Sequence, residues 1–300
     1  MEDYRKYFEP RTLAKLRGLQ LRAQRIVEGY VAGLHRSPYR GFSVEFAEHR
    51  EYTPGDDLRY LDWKVFGRTD KYYLKQYEDE TNLIGYLVLD TSESMRYRGP
   101  DSALSKFEYA QCAAAALAWL ILQQQDAVGL VTFADRIRAN VPPSSSASHL
   151  KRLLDVMEGT QPAAKTATGP IFHELAEQWT KRGVVVIISD LFDDLASLLA
   201  GLKHLRYRQH DVLILQVLDA AELDFPFAQP TRFRGLEGMP DTIAEPRSLR
   251  RAYRQEIDRF LHSVKRGCRE REMDYCLLRT DTPLDTALSA FLARRMARVK

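Results

Sequence analysis

Asp90, Ser92 and Ser94 form an Asp-x-Ser-x-Ser pattern directly after the apolar run Gly85-Tyr86-Leu87-Val88-Leu89. One carboxylate and two hydroxyls on a tight loop make a nest of hard oxygen donors, suited to a small divalent cation such as Mg²⁺ or Mn²⁺. A run this short and this apolar reads as a strand buried on both faces, as in parallel sheets. Open α/β sheets place their sites at the carboxyl ends of such strands. The plainer alternative is a polar strand-to-helix turn in which a serine acts as N-cap. A second run, Gly183-Val184-Val185-Val186-Ile187-Ile188-Ser189, also ends in an aspartate, Asp190. Two strands that each deliver an aspartate at the carboxyl end are natural neighbours in a doubly wound sheet.

The elements that must position these residues follow from hydrophobic period and turn residues. Helices are predicted over 10–34, Ser105–Gln124, Ser146–Glu158, 171–180, Leu195–Arg206, Ser248–Arg271 and Pro283–Met296. Strands are predicted over Phe42–Tyr52, Lys71–Tyr77, 84–89, Ala127–Phe133, Val212–Leu218 and Tyr275–Leu278, besides the run ending at Asp190. Arg136–Val141 reads as an edge partner, and Asp219–Arg247 as irregular with a short strand at Thr231–Leu236. This alternation specifies a three-layer α/β/α sandwich around a mostly parallel, doubly wound sheet, preceded by an N-terminal helix and a β-hairpin extension. Residues 1–80 form the extension, packed on the sheet domain of residues 81–300.

With 300 residues, 45% hydrophobic and 28% charged, the chain has the composition of a soluble globular protein. Its longest apolar run, Cys112–Leu122, is too short to span a bilayer, and Met1-Glu2-Asp3-Tyr4-Arg5-Lys6 has no apolar core of a signal peptide. Cys112, Cys268 and Cys276 are odd in number and lack paired metal spacing, so reduced thiols and a cytoplasmic location are expected. Both ends of the chain are basic and the middle is acidic. The basic residues interleave with acids at helical spacing, as in Arg254, Glu256, Asp258 and Arg259, the pattern of a solvated helix face rather than a nucleic-acid surface. There is no Gly-x-x-x-x-Gly-Lys-Ser/Thr phosphate loop, no His-Glu-x-x-His and no Cys-x-x-Cys pair.

Asp-x-Ser-x-Ser after a buried strand resembles the metal-ion-dependent adhesion site of von Willebrand factor A domains. In that family a threonine from a second loop and an aspartate from a third complete the set. The resemblance implies a metal site of Asp90, Ser92, Ser94, Thr166 and Asp190. Thr166 precedes the helical pattern by the usual few residues; Thr168 is the alternate, and either could be a helix N-cap. The three hydroxyls would bind the metal directly, and the aspartates would bind it directly or through water. A partner's Glu or Asp would fill the position left open.

The segment Gly41-Phe42-Ser43-Val44-Glu45-Phe46, continuing through Arg50, Tyr52-Thr53-Pro54-Gly55-Asp56-Asp57, Arg59 and Asp62-Trp63, is dense in charged and turn residues. It resembles the bacterial and archaeal family known as domain of unknown function 58, in which this stretch precedes a von Willebrand A-like domain. The resemblance continues through Gly67-Arg68-Thr69, Lys75-Gln76-Tyr77-Glu78, the Asp90 loop and Ile188–Asp194. It implies a non-enzymatic adaptor or assembly factor working with a MoxR-type AAA+ ATPase. Arg50, Arg59, Asp62 and Arg68 read as a buried ion network, with a partner-docking surface as the alternative.

The enzymatic rival is a haloacid dehalogenase-like phosphatase, with Asp90 as nucleophile, Asp190, Asp193 and Asp194 as metal ligands and Lys165 as its lysine. That chemistry needs a second aspartate two residues after the first, where this chain has Ser92. A metal-free scaffold is the remaining alternative.

Overall fold

The structure, a computed structural model, describes residues 19, 23, 49–51, 73–75 and 83–290 other than 147, 238, 239 and 289. The chain divides into two compact units, residues 37–82 and residues 1–36 with 83–300. In the smaller unit His49–Glu51 (β1) pairs antiparallel with Tyr73–Lys75 (β2), each within a segment where a strand is predicted. Arg59, Asp62 and Arg68 lie outside the described residues, as does most of the predicted helix 10–34. From that helix Leu19 and Ala23 are helical and buried.

In the larger unit the elements alternate along the chain. Ile84–Asp90 (β3) leads to Lys106–Gln123 (α1), then to Ala127–Phe133 (β4) and Ile137–Ser144 (β5). His149–Gly159 (α2) and Thr168–Gln178 (α3) precede Val184–Ser189 (β6), Leu195–Tyr207 (α4) and Asp211–Leu218 (β7). Ala220–Asp224 (α5), the hairpin Thr231–Phe233 (β8) with Thr242–Ala244 (β9), Pro246–Arg269 (α6) and Asp274–Arg279 (β10) follow. Six strands form one sheet in the order β10-β7-β6-β3-β4-β5, with every neighbouring pair parallel except β4 and β5. This is the three-layer, mostly parallel, doubly wound architecture expected from the sequence.

Successive residues of each inner strand serve opposite faces. Leu87 and Leu89 join α1 and α2 in one core, whereas Tyr86 and Val88 join α3, α4 and α6 in the other. A strand covered on both sides must be apolar throughout, which is why the β3 and β6 runs are continuous rather than alternating. Helix α1 starts with a capping box between Ser105 and Glu108, and its buried Ala113–Ala116 stretch presents little bulk to the sheet. Among the described residues no helix is long and apolar enough to cross a membrane.

Several boundaries differ from the sequence-based expectation, three of them for a clear physical reason. Strand β5 runs on through Pro142 and Pro143 to Ser144, because an edge strand needs no outward N–H. Helix α3 starts at Thr168 rather than 171, with Gly169 and Pro170 in its first turn, where a missing N–H is harmless. The irregular region 219–247 contains, besides β8 inside the short strand expected at 231–236, the helix α5 and the strand β9, elements too short to impose a hydrophobic period.

From β3 the sheet grows through β4 and β5 in one direction, whereas β6, β7 and β10 extend it in the other. The boundary between β3 and β6 is therefore the topological switch point, where the loops diverge and leave a crevice at the carboxyl ends.

Candidate metal centre

Because Leu89 lies opposite Ile188 in parallel register, Asp90 and Asp190 leave the sheet side by side at that crevice. Both carboxylates are fully buried. Asp90 Oδ1 accepts the Ser92 N–H at 2.8 Å, and its Oδ2 accepts the Ser189 hydroxyl. Burial first, and then the charge of Asp190, push the Asp90 carboxyl up to about 7, against the lowering effect of the hydrogen bonds from Ser189 and Ser92. Ser92 occupies the N-cap position of the short 3₁₀ turn Glu93–Arg96, but its side chain makes no capping bond. Its hydroxyl instead meets that of Ser94 at 3.0 Å, so the N-cap alternative does not account for it.

The threonine loop is fastened to the same edge. The Ala163 N–H donates to Thr91 O at 2.8 Å, the Glu93 N–H to Ala164 O at 2.9 Å and the Ala167 N–H to Ala134 O at 3.0 Å. The half-buried Thr166 donates its hydroxyl to Glu237 Oε1 at 3.0 Å. The buried Thr168 donates its N–H and its hydroxyl to Asp193 Oδ2 at 2.7 and 2.6 Å. The N-cap position of α3 is Ala167, so neither threonine caps that helix. A close approach of α3 to α4 holds the Thr168 end in place: a Cβ on Gly169 would lie 2.0 Å from Ser197 Oγ. Three loops here carry a non-glycine residue in the left-handed region, Ala164 (φ 69°), Leu191 (φ 61°) and Glu237 (φ 57°). Each costs about 1 kcal/mol or more and persists only where its surroundings fix it.

Sequence reasoning missed Lys106. Its side chain is 1% exposed, and its ammonium pairs with Asp190 Oδ2 at 2.8 Å and Glu222 Oε1 at 2.7 Å, 4.9 Å from the centre of the Phe192 ring. Burial alone would lower the lysine pKa, but the charges of Asp190 and Glu222 outweigh it and raise the value. A lysine heading a helix whose later turns, from Cys112 to Leu122, are apolar was the available signal, since a buried ammonium requires a partner. The other Asp190 oxygen accepts the Phe192 N–H at 3.1 Å. One strand further on, the buried Asp219 follows β7. It accepts the hydroxyls of Ser102 at 2.6 Å and Thr280 at 2.9 Å on Oδ2, and the Ala221 N–H on Oδ1 at 2.9 Å.

Asp90, Ser92 and Ser94 present hard oxygen donors on one loop, which fits a small divalent cation. Among the described residues no three His, Cys, Asp or Glu side chains converge at metal-holding spacing, so hydroxyls must supply part of any such shell. The acids needed for the phosphatase reading are engaged elsewhere. Asp193 accepts from Thr168, Asp194 accepts the Ser197 N–H at the start of α4, and Lys165 is exposed.

Among solved structures, the chain is similar to a conserved hypothetical protein, BatB, from Bacteroides thetaiotaomicron, with a TM-score of 0.46 at 16% identity over 72% of this chain and 99% of that one. An aerotolerance-related membrane protein from Bacteroides fragilis gives 0.46 at 20% identity over 70% and 97%. The SpRpn10 VWA domain gives 0.41 at 12% over 69% and 94%. Uncharacterized proteins of Mycobacterium tuberculosis and Mycobacterium bovis are 28% identical over 221 residues, which is 73% of this chain and 68% of theirs. The family described as "Protein of unknown function DUF58" matches residues 48–262, from just before β1 well into α6 and across all three loops of the crevice. With more than half of its length matched and a doubly wound, mostly parallel sheet beneath the match, the chain belongs to the DUF58 family.

Proposed function

We propose that this chain is a protein-interaction module rather than an enzyme, and that it recognises a partner's carboxylate through a divalent cation held by Asp90, Ser92, Ser94 and Thr166. The observation that carries the reading is the buried Ser92–Ser94 hydroxyl pair, 3.0 Å apart and free of capping duty, beside the fully buried Asp90. Asp90 orients the loop through the Ser92 N–H, and Ser189 holds the far oxygen of that carboxylate. Asp190, with one oxygen on Lys106 and the other on the Phe192 N–H, would contribute directly or through water. Bound Mg²⁺ or Mn²⁺ supplies a Lewis-acidic position for an incoming Glu or Asp oxygen. A MoxR-type AAA+ ATPase is the partner class that the family resemblance suggests, with an adaptor or assembly role. A cytoplasmic location fits the three buried cysteines Cys112, Cys268 and Cys276, none of which forms a disulfide.

Calorimetric titration of metal-stripped protein with Mg²⁺ and Mn²⁺, wild type beside Asp90→Ala, tests this reading. Saturable binding by wild type that the variant loses is the expected result; equal behaviour of the two proteins overturns it. A second reading draws on Lys106, whose ammonium already neutralises Asp190 without any bound ion. In that case the crevice is a metal-free scaffold, and the same titration shows no saturable binding in wild type.

A further inference from the structure

The segment between β8 and β9 reaches the crevice from outside the three loops that the sequence identifies. Its contact is made by Glu237. The Glu237 N–H donates to Glu93 Oε2 at 3.0 Å, on the loop that carries Ser92 and Ser94. The Glu237 carboxylate accepts the Thr166 hydroxyl on Oε1 at 3.0 Å and faces the Thr166 N–H with Oε2 at 3.4 Å. One residue thus bridges two loops of the crevice, 144 and 71 positions away in the chain. It does so with a left-handed backbone, φ 57°, which an L-residue with a Cβ adopts only when its surroundings hold it there.

The chemistry of the contact is specific. Thr166 is the hydroxyl assigned to the cation, and the group placed on it is a carboxylate, the same group a partner would bring. Among the described residues Glu237 forms no ion pair, so this half-buried charge faces a site proposed for a cation with no cation of its own.

We infer that Glu237 is the chain's own occupant of the carboxylate position, an internal ligand that an incoming Glu or Asp must displace. The inference rests on the reading that Asp90, Ser92, Ser94 and Thr166 hold a divalent cation. It adds to that reading a closed form, with Glu237 on the site, and an open form, with a partner's carboxylate in its place. Affinity for the partner is then set by the difference between the two carboxylates rather than by the new contact alone.

The test is Mn²⁺ binding to the full chain, followed by the electron paramagnetic resonance signal of the free ion, with acetate as a probe. Wild type, Glu237→Ala, Glu237→Gln and Asp90→Ala are compared. Removing the internal carboxylate is expected to weaken Mn²⁺ binding roughly tenfold, the scale on which groups around a metal act. Acetate is expected to restore the affinity of Glu237→Ala and to leave wild type unchanged, because only the variant has the position vacant. Glu237→Gln retains an acceptor for the Thr166 hydroxyl while losing the charge, so it reports on the charge should the alanine variant fold poorly. If the Glu237 variants bind Mn²⁺ as wild type does and acetate affects them equally, the inference is overturned, while loss in Asp90→Ala leaves the cation site standing. If wild type takes up no Mn²⁺, the cation reading fails and the inference fails with it.

Discussion

The two ends of the parallel strands bury polar groups by opposite means. At the carboxyl ends of β3, β6 and β7 stand Asp90, Asp190 and Asp219, all fully buried. Each is tied by directed bonds: Asp90 to Ser92 and Ser189, Asp190 to Lys106 and Phe192, Asp219 to Ser102, Thr280 and Ala221. At the amino ends, Tyr86 stacks on Trp179 with ring centroids 4.2 Å apart, and His210 lies edge-on to both. One edge depends on charges with exact partners and the other on ring area. Area tolerates small displacements, whereas a buried charge that loses its partner has no fallback. The carboxyl edge is therefore the costlier to build.

The most direct way to break this comparison is to remove the cation from the polar edge. Lys106→Ala leaves Asp190 buried without its counter-charge and is expected to lower stability by about 4 kcal/mol in urea denaturation. Adding Asp190→Asn should recover part of that loss, since no lone charge remains. Trp179→Ala removes the ring stack at the opposite edge and is expected to cost about 3 kcal/mol, without altering metal binding. If Trp179→Ala proves the costlier of the two, charge pairing does not dominate the carboxyl edge.

A finer distinction lies in the sign of the pH response. Burial lowers the pKa of His210, so as pH falls the unfolded chain takes up a proton that the native ring resists. Its contribution is complete above pH about 6.5 and is lost as pH drops below that value. Asp90 behaves in the opposite sense, its carboxyl raised to about 7 in the native state. Its contribution is complete below pH about 4 and is lost as pH rises through about 7. In metal-stripped protein, His210→Phe should flatten the acid-side decline of the urea midpoint, and Asp90→Asn the decline towards neutral pH. A single slope unaffected by either variant would show that the two edges do not titrate as described.

The sheet was legible in the sequence because its inner strands are covered on both faces and so read as unbroken apolar runs. The neighbouring positions of Asp90 and Asp190 followed from where those runs end. The pairings of Lys106, Glu222 and Glu237 were not legible, because their partners lie 84, 116 and 71 residues away, and hydrophobic period reports nothing about them. The choice between Thr166 and Thr168 also lay beyond the sequence. Both precede the same helical pattern, and only the fold separates a hydroxyl on Glu237 from one on Asp193.

Lys106 has a consequence for the order of folding. Its ammonium loses water only when β6 has delivered Asp190 and the start of α5 has delivered Glu222, both distant along the chain. Contacts of such long range form after local helices and hairpins, because loop closure must come first. We expect the Lys106 bridges to be absent from the folding transition state. Their loss would then accelerate unfolding and leave the refolding rate nearly unchanged. The same bridges that fix Asp190 beside the crevice would thereby set how long the native site persists once formed.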